Sequence, residues 1–105
     1  PTSYRGIIAL ARALVSDPKI LLFDEIFANL DKSLQSELLD KMPAIAKNKT
    51  LFFVTHDIRV ANTMSRVLVM EDGEVVGLDE PSRLLETCDL YKKLWALDNY
   101  TKAKG

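Results

Sequence analysis

The 105-residue sequence predicts an α/β fold: a partial parallel sheet with flanking helices, then a β-hairpin and further helices towards the C-terminus. Two short β-rich apolar runs, at residues 19–23 and 50–55, are separated by a helical pattern, and an Asp72-Gly73 dipeptide lies between two later β-rich runs. Strand, helix, strand in succession implies a βαβ crossover and therefore parallel pairing of the first two strands.

Residues 5–14 place Ile7, Ile8, Ala11 and Leu14 at helical spacing, and Asp17-Pro18 stops the pattern, so the first helix should end near Val15. The run Lys19-Ile-Leu-Leu-Phe23 is unbroken in its apolar character and ends in Asp24 and Glu25, as expected for a strand buried on both faces. Asp31 can cap the next helix, whose stripe Leu34, Leu38, Met42 and Ile45 keeps to one side; Pro43 should kink it or end it early. Thr50-Leu-Phe-Phe-Val-Thr55 is the second strand, followed by His56, a capping Asp57, and a short helix with Ile58, Ala61 and Met64. Asp72-Gly73 predicts a hairpin that adds an antiparallel edge to the sheet. Pro81 opens a short helix carrying Leu84 and Leu85, and Leu90, Tyr91, Leu94, Trp95 and Leu97 mark a last helix packed on the core, with residues 100–105 as a frayed tail. The sequence has no internal repeat or low-complexity stretch to mark an interior boundary, so one compact unit is the expectation.

Composition excludes several classes. Apolar residues make up 48% and charged residues 28%, the balance of a chain able to fold around a core. Fourteen basic against fifteen acidic residues leave a net charge of −1 with no dense Lys/Arg cluster, so no nucleic-acid partner is expected. No segment has the ~18 consecutive apolar residues of a membrane-spanning helix. The single cysteine, Cys88, cannot form an internal disulfide, which suits a reducing compartment and an idle or buried thiol. The chain starts at Pro1 without a methionine, which suggests a piece of a longer protein.

Chemistry concentrates at strand ends. An apolar strand delivering two adjacent carboxylates, as Ile20-Leu-Leu-Phe-Asp24-Glu25 does, is costly unless something cationic waits there. One carboxylate can hold Mg²⁺ through waters, and its neighbour can orient and polarise an attacking water. Taken alone, such a run also fits an ordinary strand end with solvated acids, and a lone histidine such as His56 also fits a structural one.

In order along the chain come Ile8-Ala-Leu-Ala-Arg-Ala-Leu14, Ile20-Leu-Leu-Phe-Asp-Glu25, Ala28-Asn-Leu-Asp31 and Val54-Thr-His-Asp57, and in that order and spacing they resemble the ATP-binding-cassette (ABC) ATPases. Ser65-Arg-Val-Leu-Val-Met70, Gly73 and Pro81-Ser-Arg-Leu-Leu85 extend the resemblance over almost the whole chain. It implies that residues 1–105 are the C-terminal part of a nucleotide-binding domain with a P-loop NTPase (RecA-like) sheet. By the same resemblance Asp24 ends the Walker B strand and contacts Mg²⁺, Glu25 is the catalytic carboxylate, Asp31 belongs to the D-loop that contacts nucleotide across a dimer, and His56 is the switch histidine. The implied activity is ATP hydrolysis powering transmembrane transport, with ATP and Mg²⁺ as ligands. The implied partners are a second nucleotide-binding domain, the transporter's transmembrane domains and the N-terminal half of the same domain, at the cytoplasmic face of a membrane.

Two departures bear on that expectation. The phosphate-binding loop Gly-x-x-x-x-Gly-Lys-Ser/Thr occurs nowhere in these residues, so the isolated chain is expected to be inactive and to bind Mg-ATP weakly. Pro1-Thr-Ser-Tyr4 stands where the family's Leu-Ser-Gly-Gly-Gln signature is expected, which leaves open a degenerate, non-hydrolysing cassette or a motif cut off upstream. A soluble ABC ATPase acting in DNA repair or translation is a further alternative.

Overall fold

A computed structural model describes residues 5–104; the reading of Pro1-Thr-Ser-Tyr4 lies outside the described residues, as does Gly105. Contacts gather the chain into two compact units, Pro1–His56 and Asp57–Gly105.

The first unit holds α1 (Arg5–Val15), β1 (Ile20–Asp24), α2 (Lys32–Ile45) and β2 (Thr50–Val54). In α1 the inward stripe is Ile7, Leu10 and Leu14, with Leu10 buried, whereas Ile8 and Ala11 are exposed. Both stripes have helical spacing, so periodicity alone could not choose between them. After α1 the chain turns through Asp17, whose φ of 48° lies in the left-handed region that aspartate enters more readily than most residues.

β1 and β2 pair in parallel, from Ile20 opposite Thr50 to Asp24 opposite Val54. This is the predicted pairing. The expectation of burial on both faces of β1 is not met: Leu21 and Phe23 are buried, but Ile20 is 64% and Leu22 70% exposed. A run with no polar position cannot reveal which face is covered, because that depends on what packs against it. On the covered side Phe53 meets Phe23 edge-on at 6.0 Å and Phe27 at 5.1 Å, and Phe27, Leu30 and Met42 are buried in the same unit.

α2 is capped as predicted, with the Asp31 carboxylate accepting from the Leu34 amide at 2.8 Å. Pro43 does not end it. The helix continues to Ile45, and the Ala46 amide still reaches the Met42 carbonyl at 2.8 Å. In the last turn a proline removes one hydrogen bond without interrupting a long ladder, so its effect is small there.

The second unit holds α3 (Ile58–Ala61), β3 (Val67–Glu71), β4 (Glu74–Asp79), α4 (Pro81–Thr87) and α5 (Asp89–Lys104). The hairpin turns through Asp72 and Gly73 at φ 51° and 80°, the left-handed pair that a two-residue turn requires. Among the described residues it forms a two-stranded sheet of its own and not an edge of the β1–β2 sheet, which corrects the expectation from the dipeptide. Turn chemistry specifies a hairpin and says nothing about which sheet it joins.

Ile58, Val69, Leu84, Cys88 and Tyr91 form this unit's core, with Ala61, Val67, Leu85, Leu90 and Trp95 packed against it. Cys88 is the buried thiol expected. The Tyr91 hydroxyl donates to Asn62 Oδ1 at 3.1 Å, and burial raises the phenol's pKa. In α5, Leu94 and Leu97 are exposed, so the core face is narrower than the predicted stripe. The helix also runs on to Lys104 where a frayed tail was expected. None of the described helices is long and apolar enough to cross a membrane.

Candidate functional site

Parallel pairing brings the ends of β1 and β2 side by side, which is where an open α/β sheet presents ligand-binding groups. The Glu25 amide extends the ladder by donating to the Val54 carbonyl at 2.9 Å, so Glu25 emerges at a defined height beside the chain leading to His56. There His56 Nε2 lies 3.3 Å from Glu25 Oε1. The imidazole is 96% exposed and the glutamate side chain 34% exposed. Among the described residues Glu25 Oε1, itself a buried atom, accepts no hydrogen bond, so the two groups are within ion-pair reach without being aligned as donor and acceptor.

Glu25 has a φ of 55°. A non-glycine residue in this left-handed region carries roughly 1–2 kcal/mol of strain, which persists only where the surroundings hold it. Here the fold turns sharply out of β1 at Glu25, with Ala28 donating back to the Glu25 carbonyl at 3.2 Å and Leu30 to the Phe27 carbonyl at 3.2 Å. The short segment ends at Asp31, whose carboxylate is engaged in capping α2. Asp24 is exposed at the strand end.

The structure thus brings Glu25 and His56 together and places Asp24 directly before them, while Asp31 closes the segment as a helix cap. Among the described residues there is no cluster of three or more His, Cys, Asp or Glu side chains able to enclose a metal. The donor set fits Mg²⁺ in a different way, since that ion commonly takes one or two carboxylates and keeps several waters. The exposed Asp24 carboxylate at the strand end leaves room for such a hydrated ion.

Sequence reading passed over Gln35. From α2 its side-chain Nε2 donates to the Phe27 carbonyl at 2.7 Å and to the Leu30 carbonyl at 2.9 Å, across the segment between Glu25 and Asp31. A carboxamide among polar helix positions carries no periodic or motif signal, so only the folded chain reveals it.

No protein-family model matches the chain. The subtilin transport ATP-binding protein SpaT of Bacillus subtilis is 37% identical over 93 residues, 89% of this chain and 15% of that protein. The alpha-hemolysin translocation ATP-binding protein HlyB of Escherichia coli is 37% identical over 96 residues, 90% of this chain and 14% of that protein. A solved structure of a bacterial Atm1-family ABC exporter with ATP bound superposes with a TM-score of 0.84 at 29% identity, covering 90% of this chain and 17% of the exporter chain. This chain is homologous to a segment of ABC transporter ATP-binding proteins. It spans about one seventh of the length of these relatives. The ABC resemblance of its motifs therefore reflects common descent over nearly all its residues, and the mixed α/β architecture is that of a part of an ABC exporter.

Proposed function

We propose that this chain is the C-terminal part of an ABC nucleotide-binding domain and supplies its water-activating and Mg²⁺-contacting carboxylates. The observation that carries the reading is the Glu25 carboxylate facing the His56 imidazole at 3.3 Å beside the paired ends of two parallel strands. In this reading the domain hydrolyses ATP to power transport across a membrane. It does so at the cytoplasmic face, paired with a second such domain and with the transporter's transmembrane part.

Each residue has a chemically distinct role. Glu25 orients the attacking water and accepts its proton; the amide bond that fixes its backbone to Val54 and the partial burial of its side chain limit the carboxylate's freedom, which lowers the reorganisation needed at reaction. His56 is exposed enough for its imidazole to reach a γ-phosphate oxygen, so it registers whether that phosphate is present. Asp24 would hold Mg²⁺ through water, where the ion would supply positive charge to offset that of the phosphates. Asp31 fixes the start of α2 and so the end of the segment that would meet the partner domain's nucleotide.

The test is Glu25→Gln in the complete nucleotide-binding domain. The amide keeps size and polarity but cannot accept a proton, so ATP binding should persist while phosphate release falls by at least ~100-fold. Unchanged turnover would remove Glu25 from the role.

A further inference from the structure

The segment from Glu25 to Asp31 must leave a strand through a strained residue and still hold that residue's carboxylate in place. Its local hydrogen bonds are few. Ala28 to Glu25 and Leu30 to Phe27 are both 3.2 Å, at the long end of the normal range. Besides the packing of Phe27 against Phe53, the side-chain hydrogen bonds to the segment's carbonyls among the described residues come from Gln35. Gln35 Nε2 has two hydrogens, and each has a carbonyl to meet, Phe27 O at 2.7 Å and Leu30 O at 2.9 Å. The assignment of nitrogen over oxygen is forced, because the opposite orientation would set a carbonyl against two carbonyls. Phe27 and Leu30, the residues whose carbonyls are held, are also the buried ones of the segment, so backbone and side chains are anchored at the same points.

We infer that Gln35 is a positioning residue, a two-bond clasp from α2 that holds the segment between Glu25 and Asp31 and thereby maintains the left-handed turn that presents Glu25 to His56. The inference deepens the proposed role of Glu25 and rests on it only for its functional meaning; the clasp itself is measurable without ATP. The requirement is for a donor with two hydrogens. A glutamate of the same shape has none at neutral pH and adds a charge facing two carbonyl oxygens. A methionine of similar length has none at any pH.

Amide hydrogen exchange by NMR on the full chain, with Gln35→Glu and Gln35→Met, tests this. Near neutral pH both variants should exchange the Ala28 and Leu30 amides about tenfold faster or more, the scale of losing two neutral hydrogen bonds. The amides paired between β1 and β2 should keep their rates. The proton–proton NOE between the His56 ring and the Glu25 side chain should weaken in parallel. At about pH 4, near the ordinary glutamate value, Gln35→Glu should recover part of the protection relative to wild type at the same pH, since a protonated carboxyl regains one donor. Gln35→Met should recover none. Unchanged exchange at Ala28 and Leu30, equal acceleration throughout β1 and β2, or identical pH behaviour of the two variants would each overturn the clasp. If the clasp holds while Glu25→Gln leaves turnover intact, the catalytic reading alone fails.

Discussion

Gly77 and Leu84 make a direct test of how the second unit is packed. A Cβ at Gly77 would lie 3.0 Å from Leu84 Cδ2 and 3.2 Å from Cys88 Sγ, and Leu84 is only 1% exposed. Gly77 does not have a left-handed φ, so alanine is sterically acceptable to the backbone and the objection is entirely to the space. Overpacking of one carbon costs about 1–3 kcal/mol, offset by about 0.4–1 kcal/mol from the reduced freedom of the unfolded chain, so Gly77→Ala should destabilise by roughly 0–2.6 kcal/mol. Leu84→Ala deletes three buried carbons and should cost about 2–5 kcal/mol including its cavity. In the double variant the new methyl enters the volume that Leu84 vacated, so one defect relieves the other, although the contact with Cys88 Sγ remains. The double variant should therefore be more stable than the sum of the singles by about 1 kcal/mol, within the ~0.5–3 kcal/mol seen for touching residues. Urea unfolding followed by circular dichroism and by the fluorescence of Trp95, the only tryptophan, gives all four stabilities. Additivity within ~0.5 kcal/mol would refute the stated contact.

Two further outcomes follow from caps and charges. Asp31→Ala removes the acceptor for the Leu34 amide and should lower stability by about 1 kcal/mol in urea unfolding, whereas Asp31→Asn, which retains an oxygen, should lose much less; equal losses would argue against capping. The Asp57 carboxylate is held below its ordinary value of 3.8, chiefly by the Arg59 guanidinium at 2.8 Å. Because the charged form is favoured in the folded chain, its contribution is complete above 3.8 and is lost as pH falls through the lower folded value. Urea midpoints measured from pH 5 downward should accordingly fall less steeply in Asp57→Asn than in wild type, and parallel curves would exclude the pair as a source of acid sensitivity.

Much of the candidate site could be read in advance because its signals are local. A β-rich run ending in Asp24-Glu25, another leading to His56, and a helical stretch between them suffice to predict parallel pairing, and parallel pairing places the two strand ends together. Asp31 and Asp57 could be named as caps because a carboxylate before a helix reaches amides within three residues. Asp72-Gly73 likewise contained its own turn.

What the sequence determined by itself was the set of elements, the caps and turns between them, and the order in which the chemical groups arrive, since each depends on residues close along the chain. Only the tertiary structure decided which stripe of α1 and which face of β1 are covered, that the hairpin forms a sheet of its own, and that Pro43 is tolerated within α2. It alone brought the Gln35 carboxamide to carbonyls eight and five residues back and left Glu25 with a strained backbone. The physical reason is common to all of these. Burial, strand pairing beyond a crossover and a side chain's choice of carbonyl are settled by which surfaces meet in space, and many sequences of the same pattern leave that choice open until the chain has folded.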